Sequence, residues 1–147
     1  MSITTSSYYR NRENYGPTRS RLTTVADENG IGAWAAWHKD TNQWIQADFL
    51  TVKAIFKVAT KGRNEVVPNY NQWVTKHQLK YSLSSSEASF EYVTSPPTGG
   101  DAMTFNANID RDSVVENEFA MIFARFFRLC PLEWHGHISM RWEVYGC

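Results

Sequence analysis

The segment "HISMRWEVY", His137–Tyr145, decides the fold class. Ile138, Met140, Trp142 and Val144 alternate there with Ser139, Arg141, Glu143 and Tyr145. Successive side chains of a strand point to opposite faces, so this period of two predicts a strand with an apolar face inward and a polar face outward. Just upstream, "MIFARFFRLC" (Met121–Cys130) reads as a buried strand interrupted by Arg125 and Arg128. Gly136 lies between the two runs and predicts a tight turn, so they are expected to pair as a hairpin.

The same reading extends toward the N-terminus. "QWIQADF" (Gln43–Phe49) alternates, "TVKAIFKVAT" (Thr51–Thr60) sets Val52, Ala54, Phe56 and Val58 on one side, and "TKHQLKYSL" (Thr75–Leu83) gathers His77, Leu79, Tyr81 and Leu83. "SFEYV" (Ser89–Val93) is a further short strand. Turn signals at Lys61-Gly62, Val67-Pro68-Asn69, Pro96-Pro97 and Gly99-Gly100-Asp101 separate the runs. Short strands, polar turns and no helical stripe indicate an all-β sandwich or barrel, as a single domain over residues 1–147.

At 147 residues the chain can bury a real core without staples. Its 6 Trp, 7 Tyr and 8 Phe exceed what so small a core holds, so some rings should be displayed. Acidic and basic residues balance at 15 each without a long run of one sign, which argues against nucleic acid as a partner. No apolar run approaches the roughly 18 residues of a membrane span. The first residues, "MSITTSSYY", lack the basic start and apolar run of a signal peptide, and no Asn-x-Ser/Thr sequon occurs.

Cys130, Glu133, His135 and His137 place four metal-ligand side chains within eight residues. Two histidines two apart share a face of a strand, so ligation is geometrically open, while Gly136 favours a turn with a structural role. In the expected hairpin Cys147 runs past Cys130 by roughly eight residues, or roughly 25–30 Å at about 3.3 Å per residue. A disulfide needs Cα atoms within about 7 Å, so the two thiols should not be bonded. "SLSSSEAS" (Ser82–Ser89) has no glycine elbow for a nucleophile, and no paired carboxylates or phosphate loop point to catalysis. "DENG" (Asp27–Gly30) and "NIDRDS" (Asn108–Ser113) gather carboxylates that could hold a structural calcium, although "DENG" reads equally as a plain turn.

The ordered segments "ITTSSYY" (Ile3–Tyr9), "NYGPTRSRL" (Asn14–Leu22), "GAWAAWHKDTNQWIQADF" (Gly32–Phe49), "VATKGRN" (Val58–Asn64), "QWVTKHQLKYS" (Gln72–Ser82), "NIDRDSVVENEF" (Asn108–Phe119) and "ARFFRLCPLEWHGHISMRWEVYGC" (Ala124–Cys147) cover nearly the whole chain. Together they resemble the discoidin, or coagulation factor V/VIII type C, domain family. The resemblance implies a discoidin-type β-sandwich, or jelly roll, with ligand loops projecting at one end. It implies a non-catalytic adhesion module of a larger extracellular protein, without a cofactor, binding glycan, protein or anionic phospholipid. Some sugar-binding relatives carry a structural calcium. It also implies that the stretch around His135 and His137 holds no metal, that Trp134 and His137 fill the bottom of the sandwich opposite or beside the ligand loops, and that Arg19 and Arg21 are structural. A cysteine where Cys147 stands usually pairs in the family with one upstream of the segment matching Ile3, which this chain does not contain.

Mapped onto this chain, the projecting loops are Tyr8–Tyr15, His38–Asn42 and Asn64–Asn71. The first offers Tyr8, Tyr9 and Tyr15 beside Arg10 and Arg12. Tyrosine rings stack on sugar faces or sit at a lipid interface, and arginines clamp anions. Tyr8 and Tyr9 could instead finish a strand and pack inward. The second loop has Trp37 at its base, followed by His38, Lys39 and Asp40. The third offers Val66, Val67 and Tyr70 beside Arg63, which could also be merely solvated. Two exposed valines contribute roughly 2–4 kcal/mol on burial, too little to hold a domain on a bilayer. The expected partner is therefore a cell-surface or matrix glycan or protein, with an anionic phospholipid surface as the alternative.

Overall fold

Two long strands organise the molecule, and each is bent in the middle. The computed structural model describes residues 1–66 and 68–147, with ten strands among them. They are β1 (Ser2–Thr5), β2 (Trp34–Ala35), β3 (Ile45–Lys61), β4 (Trp73–Ser82), β5 (Glu91–Tyr92), β6 (Thr94–Ser95), β7 (Asp101–Ala102), β8 (Phe105–Asn106), β9 (Val115–His135) and β10 (Ser139–Gly146). All the named pairings are antiparallel. β3 pairs with β9 twice: Ile45–Asp48 against Phe126–Leu129, then Lys53–Thr60 against Val115–Ala124. A bulge separates the stretches, and Leu50 within it adopts φ 70°. An extra length of chain on one strand bends the ladder there.

The bend makes two layers. One contains β1, the first half of β3, the second half of β9, β4 and the short β5 and β8. The other contains β2, β10, the second half of β3 and the first half of β9. Inward side chains of both meet in one core, where Phe127 of the first layer stacks on Trp142 of the second at 6.4 Å between ring centroids. Trp34, Ile45, Ile55, Val58, Leu79, Leu129, Ile138 and Met140 are among the other large side chains buried there. This is the expected β-sandwich. Burial of such a set, at roughly 1.5–3 kcal/mol per large apolar side chain, is the main stabilising term.

The layers also correct several expectations. Met121–Cys130 and His137–Tyr145 do not form a hairpin: β10 lies between β2 and β3, whereas the end of β9 lies beside β4. Gly136 does turn the chain, at φ 75°, but the turn crosses between layers. A Cβ there would sit 2.6 Å from the Asn71 carbonyl oxygen, so glycine is required for space as well as conformation. Cys130 consequently faces Gln78 in one layer and Cys147 bonds Ala54 in the other, both as free thiols.

The even alternation in Thr51–Thr60 fails at the bulge, which leaves Val52 exposed and buries Ile55. Met121 and Phe123 of the supposedly buried run are 55% and 62% exposed for the same reason. On β10 the first half of the polar face, Ser139 and Arg141, is buried too. The Arg141 guanidinium, 2% exposed, donates to the carbonyls of Gly62, Thr24 and Arg111 and to Asp112 Oδ1. It ties the returning loops to the sheet, a cost in desolvation met by four acceptors.

Candidate functional site

The first loop is built from two single 3-10 turns, Tyr9–Asn11 and Glu13–Tyr15, with Arg10 and Asn11 both at φ 53°. This tight coil sets Tyr9 and Tyr15 edge to face, 5.1 Å between centroids. Both rest on a small buried cluster of Ile31, Ala33 and Ala35. His137, delivered by the Gly136 turn, meets Tyr9 edge-on at 6.1 Å. The third loop is closed at its neck by the Arg63 amide donating to the Gln72 carbonyl and fastened by the Asn64 amide to the Gly32 carbonyl.

Arg63 is 6% exposed and far from merely solvated. Its Nε and Nη2 donate to Glu65 Oε2, at 3.0 and 2.8 Å, and its Nη1 donates to Gln72 Oε1 at 3.0 Å. The guanidinium lies 4.2 Å from the centre of the Tyr70 ring, so a half-exposed tyrosine at φ 62° is held by a cation on its face. Tyr9, Tyr15, Arg63, Tyr70, Gln72 and His137 together wall a cleft of about 270 Å³ floored by Ala35.

His137 Nε2 lies 2.6 Å from the Ala36 carbonyl oxygen. A carbonyl only accepts, so Nε2 carries the proton and the neutral ring keeps Nδ1 as an acceptor. Burial pushes the imidazole below its ordinary pKa, against the Ala36 bond, which raises it. The cleft therefore presents aromatic faces, an amide and a neutral imidazole.

The structure brings together Tyr9, Tyr15, Arg63 and Tyr70 of the residues proposed from sequence. Tyr8 packs against the main core. Arg10 is exposed, its guanidinium 5.3 Å from the Tyr9 ring centre, and Arg12 is exposed. Trp37 and His38 stack on each other, 5.7 Å apart and nearly parallel, outside this cleft. Val66 is 86% exposed and borders an adjoining hollow that shares Arg63 and Tyr70. Val67 lies outside the described residues.

Gln72 and His137 were not among the candidates for the ligand loops, and the sequence presents His137 only as a metal ligand or a structural residue. Their signal was positional: Gln72 closes the third loop, and the turn after β9 comes beside it only once the layers are formed. The expectation that Trp134 and His137 both fill the bottom of the sandwich fails for His137, which lines the loop-end cleft, while Trp134 packs part-buried against the main core.

Arg19 proves structural, donating to the carbonyls of Ile31, Val25 and Gly30. Three of the carboxylates considered for calcium have other partners. Asp27 accepts from Arg19, Asp110 from Ser113, and Asp112 from Asn64 and Arg141. Among the described residues they do not gather into a group of three or more metal-ligating side chains.

The sequence model of the F5/8 type C domain matches residues 2–144. The chain belongs to the F5/8 type C, or discoidin, domain family. It is similar to mouse retinoschisin, with 32% identity over 123 residues that make up 82% of this chain and 52% of that protein. The chain thus spans about half the length of this relative. Wild-type discoidin II of Dictyostelium discoideum superposes with a TM-score of 0.82 at 28% identity, over 99% of this chain and 54% of that one. A CBM32 module of Clostridium perfringens, solved in complex with GalNAc-β-1,3-galactose, shares the fold at a TM-score of 0.65 and 21% identity, over 98% of this chain and 94% of that one. Discoidin-type domains are typically non-catalytic binding modules, and the two-layer fold of this one is theirs.

Proposed function

We propose that this discoidin-type domain is an extracellular recognition module that takes a terminal sugar of a cell-surface or matrix glycan, or of a glycoprotein, in the loop-end cleft. The observation that carries this reading is the convergence of three tyrosines, Gln72 and His137 on one concavity beside a fully engaged Arg63. Sugars present C–H faces that pack on rings and hydroxyls that both donate and accept. Tyr9, Tyr15 and Tyr70 supply the rings, and His137 Nδ1 and the Gln72 amide supply complementary groups. The sugar complex of the Clostridium perfringens module supports this class of ligand for the fold.

The second reading is an anionic phospholipid surface, favoured by the exposure of Val66 and of Ile109, 86% and 84%. The two loops adjoin, since Asn64 Nδ2 donates to Asp112 Oδ1. A glycan array and liposomes with and without anionic lipid, run on the same sample, separate the two. The sugar reading expects an array signal that Tyr9→Ala and Tyr70→Ala remove. Charge-dependent liposome binding abolished by Val66→Asp, with a silent array, would replace it by the lipid reading.

A further inference from the structure

A second concavity, of about 350 Å³, lies away from the loop-end cleft. Strand alternation explains its chemistry. In the first layer Ile45, His77, Leu79, Phe127 and Leu129 are buried inward, so their neighbours Trp44, Gln78, Lys80 and Arg128 stand on the outer face. The segment between β4 and β5 folds over that face, and Glu87 and Tyr92 close one side of the hollow. Thr41 and Asn42, from the loop expected to join the other two, close another.

Arg128 organises this face. Its side chain is 5% exposed although it points away from the core. The guanidinium lies 4.2 Å from the Trp44 ring centre and 4.1 Å from that of Phe90. Nε and Nη2 donate to Gln46 Oε1, and Nη1 donates to Glu87 Oε1 at 2.8 Å. The arrangement repeats that of Arg63: a buried guanidinium stacked on aromatic rings and bonded to one glutamine and one glutamate. The difference is the carboxylate. Glu65 is 12% exposed and consumed by its arginine, whereas Glu87 is 74% exposed and fixed at one oxygen. Arg128 thus holds a carboxylate in place at the rim of a hollow without covering it.

We infer that this outer face is a second ligand site, for a short hydroxyl-rich sugar. Glu87 accepts from hydroxyls, the Lys80 ammonium donates to them, and the Gln78 and Asn42 amides do both. Tyr92, 40% exposed and facing the Lys80 ammonium at 4.6 Å, supplies a ring. The volume falls in the range of small-ligand sites and suits one or two sugar rings. Nothing in this assignment depends on the loop-end cleft.

The test is an NMR titration of the full chain with free galactose, N-acetylgalactosamine, glucose and mannose in turn. At least one sugar is expected to shift the Gln78, Lys80 and Asn42 amides saturably, with a Kd of its own. Gln78→Ala and Tyr92→Ala, both outside the buried core, should each weaken that response about tenfold, the upper range for one hydrogen bond or ring contact, and leave the melting temperature unchanged. Tyr9→Ala should leave it intact. Outer-face amides silent toward all four sugars would overturn the inference, as would outer-face shifts that vanish with Tyr9→Ala. A silent loop-end cleft with a responsive outer face would count against the proposed function alone.

Discussion

The two clefts use the same parts on different supports. At the loop end, Arg63 stacks on Tyr70 and locks Glu65 and Gln72, so the cation is spent on holding one loop in shape. On the outer face, Arg128 stacks between Trp44 and Phe90 and holds Glu87 against rigid strands. A buried arginine in this fold is thus a shaping element. What it leaves on offer is decided by the exposure of the carboxylate that it holds. The comparison can be broken or sharpened in four ways.

The largest effect is expected on removing the shaping arginine whose partner is buried. Arg63→Ala strands the Glu65 carboxylate, and breaking a buried pair from one side costs about 3–5 kcal/mol. Arg128→Ala frees an exposed carboxylate and loses mainly its packing between two rings, so a smaller cost of about 1–3 kcal/mol is expected. Chemical denaturation of both variants measures the difference. Equal losses would erase the distinction between the sites.

The second effect depends on pH and lies beneath the outer face. His77, next to Gln78, is completely buried against Phe105, and among the described residues neither ring nitrogen has a partner. Burial pushes its pKa down from 6.5 to about 3. Only the unfolded chain then takes up the proton as pH falls through 6.5, so stability is full above that pH and is lost below it. The slope is about 1.4 kcal/mol per pH unit. His137, lowered by burial as well, adds to it in the same direction. Denaturant midpoints between pH 7 and 5 should fall for the native chain and fall less for His77→Leu. An unchanged slope in that variant would remove His77 from the explanation.

Third, Tyr15→Ala removes one ring of the edge-to-face pair and should weaken the proposed sugar binding at the loop end by about two- to tenfold, from a ring contact of about 0.5–1.5 kcal/mol. Isothermal titration checks it, with the outer-face response as the internal control. The smallest effect is expected from Val66→Asp, which should move stability by less than about 0.5 kcal/mol because the side chain is almost wholly in solvent. A large loss measured by thermal unfolding would show that the valine is packed.

Much of the fold was legible in local pattern. The alternation through Gln43–Phe49 and Thr75–Leu83 agrees with the burial of Ile45, Ala47, His77 and Leu79, although Leu83 at the end of the second run is 64% exposed. It failed where two strands bend. The bulge at Leu50 shifts the phase, so Val52 and Phe123 face solvent and Ile55 enters the core. A bulge changes which residues face which layer, and its position depends on the partner strand more than on the run itself. The error of the hairpin has the same origin. A glycine turn specifies that the chain reverses, but only strand order decides whether β10 pairs with β9 or crosses to β3.

The candidate site divides in the same way. Tyrosine-rich and arginine-bearing loops were visible as exceptions to a plain turn composition, and Tyr9, Tyr15, Arg63 and Tyr70 do meet. The sequence alone determined the all-β class, most of the core and the aromatic character of the loop-end surface, because those follow from residue type and a period of two. The tertiary structure decided that His137 and Gln72 join the cleft, that Trp37 and His38 stay outside it, and that Thr41 and Asn42 face a different hollow. These outcomes rest on which strands become neighbours after a bend, and strand neighbourhood is a long-range property that no window of sequence contains.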